Sequence, residues 1–226
     1  MSRTLKPSRV AVERNPGRTR ERILAAALKE FAAHGFAGAR VDVIARGAAI
    51  NKRMLYHYFG NKEALFREIL RRKMADRRAW AESLSGDPAE SLAFWFVQAC
   101  KDMDWVRLLE WEALQGSGKR MIDEKERSEA AARAVERMRR RQEQGFFSAE
   151  LDPRHLLLAM YGLTTYAVAF PQIARLITGL SVKSARFQKE RVAFLRKFAS
   201  AFRPQNFDDA GLEQVIPIKF RKSKAA

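Results

Sequence analysis

With 226 residues and a 47% hydrophobic content, the chain has material for one large domain or two small ones and is too apolar to be disordered throughout. Its 43 Lys and Arg outnumber 26 Asp and Glu, and a formal net charge of +17 draws a protein towards polyanions: DNA, RNA or acidic lipid. A single cysteine, Cys100, excludes a disulfide within the chain, and residues 1–17 carry charge without an apolar core, so no secretory signal is expected and a cytoplasmic location is.

The basic excess is densest early, with 14 Lys and Arg against 6 Asp and Glu in residues 1–70. Residues 1–16, with Arg3, Lys6, Arg9, Arg14, Pro7 and Pro16, read as a flexible basic arm, either touching phosphates or simply solvated. A helix is predicted from Arg18 to His34-Gly35, with Ile23, Ala27 and Phe31 on one stripe and Leu24 and Leu28 beside it. Gly35 supplies a left-handed stop, and Phe36 packs back. Val41, Ile44 and Ala45 form the apolar face of a short second helix, and Ala48-Ala49-Ile50 make a turn. Asn51 is a good N-cap for a third helix. Met54, Leu55 and Tyr58 give that helix an apolar side, while Lys52, Arg53, Tyr56 and His57 face outward. Gly60 ends it, and Asn61 caps a fourth helix over about 61–83, with Glu63 in the first turn. Two short helices about a tight turn, the second basic and aromatic, have the layout of a helix-turn-helix, whose second helix lies in the DNA major groove.

Ser85-Gly86-Asp87-Pro88 breaks the chain, and everything from 88 to 203 reads as helix. One stripe runs through Leu92, Phe96, Ala99, Met103 and Val106 in a segment spanning 89–114, and Gly116-Ser117-Gly118 ends it. A charged helix over 119–144 closes with Arg137, Arg139, Arg140 and Arg141. Asp152-Pro153 starts an apolar helix that runs to Phe170-Pro171. The apolar run Leu156–Phe170 is shorter than the ~20 residues of a membrane span and is interrupted by Thr164 and Thr165, so a buried helix is expected. After Gly179, residues 184–202 form an amphipathic helix, and 204–226 a loosely ordered tail. No alternating strand pattern of useful length occurs, so the expected fold class is all-α.

Catalytic chemistry finds no foothold. His34, His57 and His155 have no metal-ligand spacing with one another or with Cys100, and no glycine-rich phosphate loop is present. No enzyme activity, cofactor or metal is expected, and Cys100 reads as a small buried hydrophobe.

The blocks Thr19-Arg20-Glu21-Arg22-Ile23-Leu24-Ala25-Ala26-Ala27, Phe31-Ala32-Ala33-His34-Gly35-Phe36, Ile44-Ala45 and Leu55-Tyr56-His57-Tyr58-Phe59-Gly60-Asn61-Lys62-Glu63-Ala64-Leu65 resemble, in order and spacing, the DNA-binding domain of tetracycline-repressor-type (TetR-type) regulators. The resemblance implies a homodimer carrying two helix-turn-helix domains and a variable helical C-terminal domain that binds a small effector. It divides the chain into an arm (1–16), a DNA-binding domain (17–64), an effector-binding and dimerisation domain (65–203) and a tail (204–226). The implied function is a repressor released from a palindromic operator by its effector; the alternative is an effector-independent architectural DNA-binding protein on the same fold. Four residues depart from the family pattern: Ala39 and Arg40 stand where Thr or Ser usually caps the second helix, Ala49 where the turn usually has Gly, and Arg53 where a small residue is common.

Candidate DNA contacts are Arg40, Asn51, Lys52, Arg53, Tyr56, His57 and Lys62. Arg53 is expected on a base edge, Lys52 on a base or phosphate, and Tyr56 and His57 on phosphate and sugar. Lys62 resembles the family's phosphate-binding lysine. Tyr58, Phe59 and Leu65 read as core. Trp95, Phe96, Met103, Trp105, Trp111, Tyr161, Tyr166 and Phe170 either line an effector cavity or are core. Glu110 continues the apolar stripe on a helical wheel, with Leu114 a turn later; it anchors an effector, pairs with Arg107, or lies past the helix end. Phe187, Phe194, Phe198 and Phe202, with the helix over 153–170, form half of a four-helix bundle across a two-fold axis or else internal core.

Overall fold

The computed structural model describes residues 15–84, 87–115 and 121–199. The expected arm up to Arg14, Phe202 and the tail lie outside these residues. Ten helices and no strand are found among the described residues: α1 (Pro16–Gly38), α2 (Val41–Gly47), α3 (Lys52–Phe59), α4 (Lys62–Ser83), α5 (Pro88–Lys101), α6 (Met103–Gln115), α7 (Glu124–Glu143), α8 (Pro153–Ala169), α9 (Pro171–Thr178) and α10 (Ala185–Ala199). The protein is all-α, as the periodicity predicts.

Local chemistry sets the helix starts. The side chains of Asn15, Asn51, Asn61, Asp87 and Asp152 each accept a hydrogen bond from a backbone N–H in the following first turn, satisfying donors that have no partner within the helix. Gly35 interrupts α1 at φ 67, ψ 176, a conformation with little penalty for glycine, and the chain then makes one more turn to Gly38. That turn folds Phe36 back between Phe31 and Phe66, with ring centroids 6.1 and 5.2 Å away.

Two apolar clusters form. The first joins α1 to α4 through Ile23, Phe31, Leu55, Leu65 and Ile69, and also takes in Trp105 and Leu108 of α6. The second is built from α5, α8 and α10, with Phe96, Val106, Met160, Phe187 and Leu195 among its buried members. α6 therefore lies between the clusters, with Trp105 and Leu108 on one side and Val106 on the other. Trp111 Nε1 donates to the Ala32 carbonyl at 3.2 Å and ties α6 to α1.

Salt bridges reinforce the same joints. Glu68 of α4 gathers Arg20 of α1 at 3.0 Å and Arg71 and Arg72 of its own helix at 2.9 Å. Arg67 meets Asp123 at 3.0 Å, holding the start of α7 to α4. Asp123 has φ 53, in the left-handed region that Asp tolerates better than most side chains.

The structure corrects the sequence reading at three places. The single helix expected over 89–114 is two, because the chain turns at Asp102 (φ −124, ψ 55). Residues 171–178, assigned to no particular helix from the sequence, form α9, with Pro171 pre-set for its first turn and α8 and α9 bent by 86°. Phe187, a dimer candidate, is 5% exposed and packs against Phe96 at 6.3 Å, so it belongs to the protomer's own core.

No single helix among the described residues is long and apolar enough to cross a membrane. In α8, Leu156, Met160, Thr164, Ala167 and Val168 are buried, and the hydroxyls of Thr164 and Thr165 donate back to the carbonyls of Met160 and Tyr161. Cys100 is half-buried against the second cluster, where burial pushes its thiol up to about 12 and leaves it a poor nucleophile.

Candidate nucleic-acid interface and effector cavity

The sequence of α3 sorts its side chains by face. Leu55 and Phe59, one turn apart, are buried, whereas Lys52, Arg53, Tyr56 and His57 all point to solvent. Each buried side chain contributes about 1.5–3 kcal/mol to docking α3. The exposed four occupy successive turns of one surface, and Lys52 Nζ lies 5.8 Å over the Tyr56 ring. Asn51 Oδ1 accepts from Met54 N at 2.8 Å, so its side chain is engaged as a cap, and the residue is exposed at the tip of the helix. Gly60 ends α3 at φ 76, and the chain passes directly into α4.

The turn between α2 and α3 takes the shape its sequence strains against. Ala49 has φ 52, where glycine fits best. Arg40 is the N-cap residue of α2 and makes no side-chain cap, as expected where a hydroxyl is missing. Glu30 of α1 accepts from the backbone N–H of Arg40 itself at 3.0 Å, which fixes the cap residue against α1 without satisfying the first-turn donors of α2. The Arg40 guanidinium is exposed and pairs with Asp42 at 3.1 Å, and Arg46 approaches the same carboxylate at 3.5 Å. Lys62 has a structural engagement the sequence did not reveal: its Nζ donates to the Ala37 carbonyl at 3.3 Å and sits 5.0 Å over Phe36. Burial lowers the Lys62 pKa and the Glu30 carboxylate opposes that.

A small, open cleft lies further along α4, between α4, α5, α7 and α8. Ala81 and Leu84 of α4, Trp95 of α5, Met138 of α7 and Leu157 and Met160 of α8 make an apolar wall. Arg137, Arg141, Tyr161 and Thr164 supply polar groups. Tyr161 is half-exposed, but burial of its hydroxyl raises its pKa, against the pull of Arg137 and Arg77.

Of the effector candidates read from sequence, Trp95 and Tyr161 line this cleft. Phe96 is fully buried in the second cluster, Met103 packs against its edge, and Trp105 is buried in the first cluster. Tyr166 and Phe170 face solvent, with ring centroids 5.1 Å apart. Glu110 is half-buried away from the cleft; burial raises its pKa, and Arg107, one turn back, lowers it. Leu114 is 74% exposed, so the apolar stripe does not extend beyond Glu110. Arg137 and Arg141 were read as part of a charged run. The available signal was their spacing with Ala134 and Met138, which puts all four on one face of α7.

Large apolar side chains are exposed on α8, α9 and α10. Leu158, Leu176 and Ile177 are 63%, 75% and 77% exposed. On α10, Phe194 and Phe198 are exposed and stacked with centroids 5.5 Å apart, with Arg191 over Phe194. Among the described residues, no group of three His, Cys, Asp or Glu side chains is placed to hold a metal ion.

An exposed basic helix held on a three-helix unit, continuous through α4 with a cleft-bearing helical body, defines a helix-turn-helix transcriptional regulator. Two family models match in tandem: residues 23–69 match the bacterial regulatory proteins of the tetR family, and residues 94–200 match a tetracycline-repressor-like C-terminal domain. The transcriptional repressor SCO4008 of Streptomyces coelicolor is 36% identical over 170 residues, covering 74% of this chain and 86% of that protein. The transcriptional regulator RutR of Escherichia coli K12 is 28% identical over 188 residues, covering 75% and 83%. The solved structure of SCO4942 from Streptomyces coelicolor superposes with a TM-score of 0.67 at 29% identity, covering 82% of this chain and 99% of that one. The chain belongs to the TetR family of bacterial transcriptional regulators.

Proposed function

We propose that the protein represses transcription as a homodimer on a palindromic operator and leaves the DNA when a small molecule enters the cleft. The observation that carries this reading is the division of α3 into a buried Leu55/Phe59 side and an exposed Lys52/Arg53/Tyr56/His57 side. Arg53 reads a base edge, for which guanine O6 and N7 are the natural match, and Lys52 reads a base or phosphate. Tyr56, His57, Arg40 and the tip at Asn51 contact the backbone, with Lys62 and the α4 N-terminus beside a phosphate.

The exposure of Leu158, Leu176, Ile177, Phe194 and Phe198 supports pairing of two copies, since exposed apolar side chains are stabilised by burial. A two-fold pair places its recognition helices in successive major grooves about 34 Å apart. Residues 17–64 act as the DNA-binding domain and 65–203 as the effector and dimer domain, in the cytoplasm. α4 is common to both, buried in the first cluster at Leu65–Leu70 and bordering the cleft at Ala81 and Leu84. A molecule filling the cleft therefore acts on the helix that bears the recognition unit. The convergence of Arg137, Arg141, Tyr161 and Thr164 on an apolar-walled cleft supports this reading over an architectural DNA-binding protein.

Equilibrium binding to palindromic and scrambled duplexes selected from DNA flanking the gene tests the proposal. Preference for the palindrome of at least tenfold, about 1.4 kcal/mol, is expected. Equal affinity overturns it.

A further inference from the structure

Arg137 and Arg141 border the same cleft from successive turns of α7, and neither has a carboxylate partner among the described residues. Like charges at this spacing repel each other. Burial and the charge of Arg137 both push the Arg141 pKa down, so its cation sits in an unfavourable place. Nearby acids are engaged elsewhere: Glu136 with Arg139 and Arg140, and Glu82 with Arg78. Among the described residues, no acidic side chain lines the cleft. Its remaining wall is apolar and includes Trp95.

We propose that the cleft takes an organic carboxylate, its anionic end held by Arg137 and Arg141 and its apolar body laid against Trp95, Leu157 and Met160. This names the chemical class of the effector and rests on the reading above for its regulatory consequence. The guanidinium fork matches a carboxylate in two parallel hydrogen bonds. A single anion between the two arginines also replaces their repulsion with attraction. A cationic molecule adds a third positive charge to a site without an acid, and a neutral one leaves the arginines uncompensated. The Tyr161 hydroxyl, already under the influence of Arg137, supplies a further donor.

Calorimetric titration of the full chain with naphthoate, naphthamide and naphthylmethylammonium tests this, using the parent, Arg137→Gln, Arg141→Gln and the double variant, each checked for an intact thermal transition. Naphthoate is expected to bind at least tenfold more tightly than naphthamide, with no measurable ammonium binding, and to lose that preference in the double variant. If the double variant does not fold, Arg141→Gln alone is expected to lose at least threefold. Equal affinity for the amide, unchanged naphthoate affinity in the arginine variants, or no naphthoate binding at millimolar concentration overturns the proposal. Operator binding is measured in parallel. Naphthoate that binds with the expected arginine dependence yet leaves operator affinity unchanged supports the anion site and removes the effector reading.

Discussion

Lys73 Nζ lies 2.8 Å from both carboxylate oxygens of Asp102, fastening the middle of α4 to the corner between α5 and α6. Arg77, one turn further along α4, approaches the same carboxylate at 3.9 Å and lies 4.8 Å over the Trp105 ring. The Asp102 carbonyl also accepts from Trp105 N at 3.1 Å, starting α6. One residue thus sets the turn and binds it to the helix that runs from the recognition unit to the cleft. Asp102→Ala is expected to destabilise the protein by about 2 kcal/mol, because two partly buried cations lose their counter-charge. Urea denaturation measures this; a change within about 0.5 kcal/mol would show the contact to be solvated and dispensable.

Ala49 holds a left-handed conformation, φ 52, at the turn before the recognition helix. Ala49→Gly is expected to stabilise the fold by up to about 1 kcal/mol, since the strain of the β-carbon exceeds the entropy that glycine adds to the unfolded chain. Thermal denaturation should show a higher midpoint with DNA affinity unchanged. A lower midpoint means that the turn gains more from the alanine methyl than it loses in strain.

Arg53 and Lys52 are adjacent but should fail differently. Arg53→Ala is expected to weaken operator binding by about 1–3 kcal/mol and to relax the preference at one base position. Lys52→Ala, where the lysine meets phosphate, should weaken binding to all sequences alike and reduce the salt dependence by about one counterion. Titrations across a panel of single-base operator variants at several salt concentrations separate the two. Identical loss on every duplex for both variants removes the assignment of Arg53 to a base.

Glu68 is held at a pKa of about 2, against an ordinary 4.5, chiefly by the Arg71 hydrogen bond; burial pushes the other way, and Arg72 and Arg20 add to the lowering. A carboxylate depressed in the folded state contributes its full stabilisation above its unfolded pKa and loses it as pH falls towards the folded one. The window is therefore from about 4.5 down to about 2. Solvent around the arginines discounts the contribution to about 1 kcal/mol. Glu68→Gln should be less stable than the parent by that amount near neutral pH, and the two should converge through this window. A constant difference down to the acid limit would place the Glu68 contribution in packing instead of charge.

The exposed apolar side chains of α9 and α10 predict an assembly state. Ile177→Glu and Phe194→Glu each place a charge on side chains that are already exposed in the single chain, so the protomer fold should survive. Sedimentation is expected to shift from dimer to monomer and operator affinity to fall with it. A parent that sediments as a monomer, or variants that remain dimeric, would assign pairing to another surface.

The first four helices and the face of α3 were legible in the sequence because their determinants are local. Asn51 and Asn61 cap within three residues, Gly60 stops α3 in place, and Leu55 and Phe59 repeat at helical spacing. The second half resisted for the opposite reason. Phe187 and Phe194 look alike in a helical wheel, yet one packs on Phe96 and the other faces solvent. The corner at Asp102 interrupts no apolar period, so Leu92 to Val106 read as one stripe while the chain turned within it.

Composition, caps and periodicity by themselves determined an all-helical protein with a basic recognition helix, because each is settled by neighbours a few residues apart and by the total charge. Only the tertiary structure decided that Glu30 holds the backbone N–H of Arg40 ahead of α2, that Lys62 is tied to Ala37, and that Arg137 and Arg141 border a cleft with no acid among its described lining residues. Those outcomes depend on which helix lies opposite. A side chain's free energy there is set by partners far away in sequence, and no local pattern records them.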